Sequence, residues 1–403
     1  MKSQFKLAAL ALLLSTINYQ LSTCFAQGSL APPGAPAPTM KSLDQVEART
    51  AITNTTDLVT ISQPGSYYLT HSIAVTTGDA IDITTNGVTL DLNGFTISST
   101  ADTANGSGIF LAGSRTDITI LHGFIKGGVV YDGAYSGGGF ANGIFSYGSF
   151  PINIHVAGVS VSGCMIYGIY LNHATSTVVD SCTVQSCGSE GIDAATVSHS
   201  AGYLCGNYGI VATTASDCYG YSYGGIGLYG VNLDNCYGES ATATGLSCHS
   251  ANNCAGRSGT GTGLSADAAH NCTGYSSSGT AISVNAANGC YGSSNGGGQG
   301  IYATTAANCS GDSATSQGIN AETASNCYGA SAFNRGISAN VAIACSGISL
   351  GGSYGVFATS VANTCYGISK TGTGLGTTIA IGCIGVNNSG PSVLASYKYN
   401  MPP

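Results

Sequence analysis

From Cys218 to Cys383, cysteine returns at intervals of 18, 18, 18, 18, 19, 18, 18, 20 and 18 residues. The gap from Cys182 to Cys218 is 36, with Ser200 at its midpoint, and Cys164 stands another 18 upstream. A glycine follows two residues after the cysteine, from Gly220 through to Gly385. A Gly-apolar pair begins nine residues after it, as in Gly191-Ile192, Gly227-Leu228, Gly263-Leu264 and Gly336-Ile337. The repeat reads G-I-x-A-x-x-A-x-N-C-x-G-x-S followed by four variable residues. A unit this short buries nothing alone, so it must stack on copies of itself. Ile and Ala two apart share one face of a strand, as do Cys and the Gly two beyond it. Stacking the repeats about 4.8 Å apart pairs every strand with the coil above and below.

The expected fold is therefore all-β, a single-stranded parallel β-helix with 18-residue coils in the C-terminal half. Parallel crossovers are overwhelmingly right-handed, so a right-handed solenoid is expected. A left-handed hexapeptide helix would need an apolar residue every six positions, whereas the inward marks here fall 10 and 8 apart. The G-G-x-G-x-D runs of a calcium β-roll are missing. Composition agrees with a narrow core. Gly is 60 of 403 residues, charged residues are 7%, Trp is absent and the apolar share is rich in Ala, Cys and Ile.

Lys2 and Lys6 precede an apolar run from Leu7 to Leu14, with small residues following toward Ala26. Residues 1–26 read as a signal peptide. Leu21-Ser22-Thr23-Cys24 also loosely matches a lipobox, which leaves a lipid anchor at Cys24 as an alternative. Either way the destination is secretion or the cell surface. No later apolar run of about 18 residues follows, so no transmembrane segment is expected after signal removal. Residues 27–57 form a Pro-rich spacer and N-terminal cap, with a turn or two of helix in 39–49. Residues 58–163 read as β-helix with longer coils, 164–385 as the 18-residue repeats and 386–403 as a tail capping the last coil.

The segments Gly87–Ile97, Asp117–Ile125 and Pro151–Val161 alternate like strands, and Ile61-Ser62-Gln63-Pro64-Gly65-Ser66-Tyr67-Tyr68-Leu69 opens the series. These stretches resemble coils of secreted bacterial right-handed β-helix proteins of the pectin-lyase-like superfamily. The resemblance implies the fold; activity does not follow, because this fold hosts lyases, hydrolases, adhesins and surface proteins.

Stacked cysteines in register present parallel side chains, whereas a disulfide needs Cβ atoms about 3.5–4.5 Å apart and turned toward each other. The ladder is thus expected to hold free, buried thiols. Cys187 and Cys205, expected at a turn, are the best disulfide candidates. A row does not converge on a metal ion, so no metal or other cofactor is implied. The Asn preceding the Cys (Asn235, Asn253, Asn271, Asn308 and Asn326) is expected to form a turn ladder of amides bonding from coil to coil.

Positions one and three after the Cys face solvent. There the register aligns Tyr203, Tyr219, Tyr221 and Tyr237, flanked by Glu239 and Arg257, with His199 and Asp217 stacked one position before the Cys. These residues form a candidate carbohydrate platform, in which tyrosine faces cover sugar rings and charged groups bind hydroxyls. The plainer alternative is ordinary surface packing. The loop Gly127–Gly139 leaves the narrow coils beside it. Only 10 residues are Lys or Arg, which leaves no footprint for nucleic acid. Enzyme signatures are thin. The Asp-Asp, Gly-His-Gly and Arg-Ile-Lys motifs of polygalacturonase-like hydrolases are missing, and Glu190 with Asp193, the one close carboxylate pair of the repeats, reads as a solvated turn. The expectation is a non-catalytic, exported structural, adhesive or glycan-binding module, with polysaccharide or cell-surface glycan as partner. The alternative is a polysaccharide lyase or glycoside hydrolase with a divergent site.

Overall fold

The computed structural model describes residues 48–147, 151–172 and 176–402. The predicted signal peptide, the lipobox cysteine and residues 27–47 of the expected spacer and cap lie outside them, and with these all but the last two residues of the helical turn expected in 39–49. One compact unit begins at Arg49. Among the described residues every regular element is a β-strand, and no helix is long and apolar enough to cross a membrane.

The chain winds as a parallel β-solenoid. Arg49–Ile52 already pairs with the strand Gly65–Leu69, so the stack starts ahead of residue 58. The pairs Ile81–Ile109, Ile109–Ile144, Ile144–Ile169 and Ile169–Ile192 mark successive coils of 28, 35, 25 and 23 residues. From Ile192 the step settles at 18, through Ile210 and Leu228.

Each short coil has a long strand, such as Ile282–Asn288, and a short one, such as Tyr291–Ser294. The long strand bends in its middle; where it breaks, Leu246–Ser247 and Ser250–Asn252 are separate strands. The coil therefore has three faces. A corner residue with positive φ leads from the second face to the third. It is Asn235, Asn253, Asn271, Asn308 or Asn326, with φ between 50° and 54°. Asparagine tolerates this left-handed conformation best among residues with a side chain, which explains its recurrence. The expected amide ladder forms in part: Asn326 Nδ2 donates to Asn308 Oδ1 at 3.4 Å and Asn235 donates to Asp217, whereas Asn308 Nδ2 donates to Asn288 Oδ1, short of the corner, at 3.2 Å.

The core is thin. A Cβ on Gly274 would lie 2.3 Å from the carbonyl oxygen of Ala281 and 2.4 Å from Ile282 Cγ1. The third face therefore approaches the first so closely that only glycine fits between the cysteine and the serine of the repeat.

The ladder cysteines from Cys182 to Cys383 are buried and free. Sγ of Cys272 accepts from the backbone N–H of Cys254, and Sγ of Cys383 from that of Cys365, both at 3.4 Å. Ser200 fills the gap, accepting from the Cys182 N–H at 3.0 Å. Cys164 does not belong to this column. Ser160 pairs with Thr183, which puts Val159 above Cys182, because that coil has 23 residues rather than 18. Cys164 stacks instead over Cys187, which pairs in register with Cys205. These two end strands rather than occupy a turn, each following a left-handed residue, Ser186 or Leu204, and both are free.

The column of Cys187 and Cys205 continues as serine. Cys205 pairs with Ser222, then come Ser240, Ser258 and Ser276. The hydroxyls of Ser222, Ser240, Ser258 and Ser276 each tie their own coil's turn to the turn of the preceding coil, whereas Ser349 Oγ has no partner. Ser276 Oγ donates to the carbonyl of Gly261 at 2.7 Å and accepts from the N–H of Gly279 at 2.8 Å. In the last coil Asn387 takes over, donating to the Gly372 carbonyl at 3.0 Å and accepting from the Ser389 N–H at 2.9 Å.

Candidate functional site

The expected strip lies on the third face. Tyr219 pairs with Tyr237 and Tyr221 with Glu239, one coil apart. Tyr203 stacks on Tyr221 at 5.3 Å between ring centroids and on Tyr219 at 6.1 Å, and Tyr219 on Tyr237 at 5.4 Å with planes 15° apart. Rings stacked along the solenoid axis cover one another's faces. The strip therefore offers ring edges to a ligand, not the open platform of faces that spacing alone suggested. Burial pushes the phenol pKa values of Tyr219, Tyr221 and Tyr237 upward, with the Glu239 carboxylate adding to the shift.

The loop Gly127–Gly139 joins this strip. Its strands Val130–Tyr131 and Tyr135–Ser136 make a small antiparallel ribbon. Tyr131 packs on Tyr223 at 4.8 Å, and Tyr135 donates its hydroxyl to the Leu204 carbonyl at 2.9 Å. Nothing in the repeat spacing marks these two tyrosines, because they lie on an insertion outside the period.

The flanking charges are where the register put them. Arg257 Nη1 lies 3.3 Å from Glu239 Oε1, and Tyr237 donates to Glu239 Oε2 at 3.3 Å. His199 and Asp217 occupy the left-handed corner, with φ of 46° and 53°. His199 Nδ1 is 3.1 Å from Asp180 and Nε2 is 3.7 Å from Asp217, so one imidazole spans carboxylates of the coils on either side. Asp180 escaped the sequence reading as His199's partner, because the contact runs from the end of the second face in one coil to the corner of the next. The hydroxyl of Ser198 and then His199 hold the Asp180 carboxyl below the usual carboxylate range.

Around the same corner, on the second face, a groove of about 350 Å³ crosses several coils. One wall is the row Thr196, Thr214, Asn232 and Ser250, the other Ser216, Asp234 and Asn252, each in register. Between the rows run Val197, Ala215 and Leu233, whose side chains turn inward and are buried in the core. The repeat spacing does not mark Asn232 and Asn252, because spacing reports which residues stack and not that their rows border a groove.

Glu190 and Asp193 are not a solvated turn. Both lie in the strand Glu190–Ser198, and Asp193 is buried. Asp193 pairs in register with Tyr170. Tyr170 stacks on Tyr167 at 4.4 Å, and Phe145, Tyr167 and Phe110 extend the aromatic column. The outward position on this first face becomes buried here because large rings of longer coils cover it. Among the described residues, no group of three or more His, Cys, Asp and Glu side chains is arranged to hold a metal ion.

Fold and site define a parallel β-solenoid with an aromatic strip and a polar groove on adjoining faces of its first short coils. No family model and no curated protein matches the chain. Among solved structures it is similar to the Azotobacter vinelandii mannuronan C-5 epimerase AlgE6 A-module, with 11% identity over 85% of this chain and 92% of that one, and a TM-score of 0.29. A likeness that low says nothing about activity.

Proposed function

We propose that this protein is an exported right-handed β-helix of the pectin-lyase-like kind that binds glycan at or outside the cell surface without acting on it chemically. The observation that carries this reading is the concentration of features on a few coils: four stacked tyrosines, two loop tyrosines, the Glu239–Arg257 pair, the Asp180–His199–Asp217 corner and the adjoining groove. The coils that follow keep the same scaffold without this grouping. Tyr291, Tyr328 and Tyr366 alternate with Ser310 and Ser346. Rigid strands hold such a surface without ordering cost on binding. The basic residues at the strip and corner reduce to Arg257 and His199, and both are engaged with carboxylates, which leaves no free cation to neutralise a uronate during elimination or hydrolysis. A glycan array with the purified chain, run beside an activity screen on polyuronides, tests the proposal. Retention on glycan without turnover is expected. Turnover would overturn the non-catalytic part, and no retention on any glycan would overturn the binding part.

A further inference from the structure

We propose that the diagonal tyrosine pairs Tyr203–Tyr219 and Tyr275–Tyr291 are sites of oxidative cross-linking, where a peroxidase joins neighbouring coils through a carbon–carbon bond between the two rings. This goes beyond the glycan reading and does not depend on it. All fifteen described cysteines are free, so among the described residues no disulfide ties one coil to the next. The ladder thiols are also shut in the core. Tyrosines, by contrast, stand on the outer side of the third face, with Tyr203 39% and Tyr275 43% exposed.

Register selects the pairs. Tyr219 stands opposite Ala201, two residues before Tyr203, and Tyr291 stands opposite Thr273, two residues before Tyr275. Each pair is thus offset by one coil, about 4.8 Å, and by two residues along the strand, about 6.6 Å. The rings still meet. Their centroids are 6.1 Å apart in the first pair and 6.0 Å in the second, where the planes cross at 66°. A biaryl bond joins the carbons ortho to the two hydroxyls. The rings must therefore meet edge to edge, with their Cβ atoms held well beyond one coil spacing. The diagonal supplies that offset. Tyr219 and Tyr237 lack it, because they stand directly opposite and cover each other's faces at 5.4 Å with planes 15° apart.

The oxidant is hydrogen peroxide, used through a haem peroxidase. Each phenol gives up one electron and its proton, and the two phenoxyl radicals couple at their ortho carbons. Those carbons then release their hydrogens as protons, while the phenol oxygens regain theirs. The net loss is two ring hydrogens, and the peroxide is reduced to two waters. A neutral phenol loses an electron most readily where a base takes its proton. Tyr291 has such a base, since its hydroxyl donates to Asp312 Oδ2 at 3.0 Å. Burial, and then this carboxylate, push the Tyr291 phenol pKa upward, so the neutral phenol is the form that reacts.

Treating the dilute, folded full chain with a haem peroxidase and hydrogen peroxide, followed by peptide mapping with mass spectrometry, tests this. The expected result is dityrosine fluorescence from single chains, with peptides joined Tyr203 to Tyr219 and Tyr275 to Tyr291, each product lighter by two hydrogens. Tyr203→Phe and Tyr275→Phe keep the ring and its packing. Each should erase its own link and leave the other in place. The wild-type map decides the matter even where a variant folds poorly. Links between Tyr219 and Tyr237 would overturn the assignment. So would links only between separate chains, through exposed tyrosines such as Tyr302. Oxidation that consumes the thiols and forms no dityrosine would overturn it as well.

Discussion

Met401 sits beneath Cys383, where the next thiol of the ladder would be. The strand Val393–Tyr399 pairs with Leu375–Ile381, and the Gly382 N–H donates to the Tyr399 carbonyl at 2.9 Å. Asn400 then turns the corner with φ of 48°, as the ladder asparagines do. The tail is thus a last partial coil, and Met401 is packed half-buried against the core. A flexible thioether fills an irregular end better than a thiol.

Met401→Ala should loosen this coil alone. The cost should be about 1–2 kcal/mol, less than full burial of a methionine commands. Because solenoid stability is summed from neighbouring coils, hydrogen exchange should accelerate in Val393–Tyr399 and stay unchanged around Cys272. Acceleration throughout the stack would mean that the tail is not a local cap.

All fifteen described cysteines are free. A thiol reagent added to unreduced, denatured protein should titrate them in full, whereas the folded protein should react slowly. Burial raises the Cys182 thiol pKa to about 11, so at neutral pH its reactive thiolate is scarce as well as shielded. A denatured titre near zero would show a disulfide framework and contradict the ladder.

The serine column offers a sharper packing test. Ser276→Ala strands the Gly279 N–H of its own coil's turn and the Gly261 carbonyl in the turn of the preceding coil. Each buried group left unpaired costs about 1–3 kcal/mol. A clear loss of denaturant stability is therefore expected, while alanine at the neighbouring exposed Ser278 should change little. Equal effects would reduce the serine to a small filler.

Much of this architecture is legible in the chain itself, and its limits have physical causes. Near-constant coil length made the register readable from Cys182 to Cys383, and with it the alignment of Tyr203, Tyr219, Tyr221 and Tyr237. Where coils lengthen to 23 residues, the same arithmetic put Cys164 in the wrong column. Spacing reports which residues stack but not how side chains turn, so the mutual coverage of the tyrosine rings was not visible. Nor was the burial of Asp193, which depends on aromatic side chains from coils outside the 18-residue period.

Acid should loosen the corner. The Asp180 carboxyl is held below its ordinary value by Ser198 and His199. A depressed folded pKa contributes stability above the unfolded value of 3.8, and that contribution is lost as pH falls through the folded value. Asp180→Asn should thus lower stability slightly at neutral pH and flatten the decline on the acid side. A variant with the wild-type acid profile would show that the pairing contributes nothing.

The central claim, a localised glycan surface on a non-catalytic scaffold, is tested most directly by comparing two double variants for glycan retention. Tyr219→Ala with Tyr237→Ala removes stacked rings beside the groove. Tyr328→Ala with Tyr366→Ala removes isolated rings from coils that carry no such grouping. Both pairs keep the fold, since none of the four side chains is in the core. Retention should be lost in the first double variant and kept in the second. Equal loss from both, or none from the first, would contradict a localised site and leave the solenoid as scaffold alone.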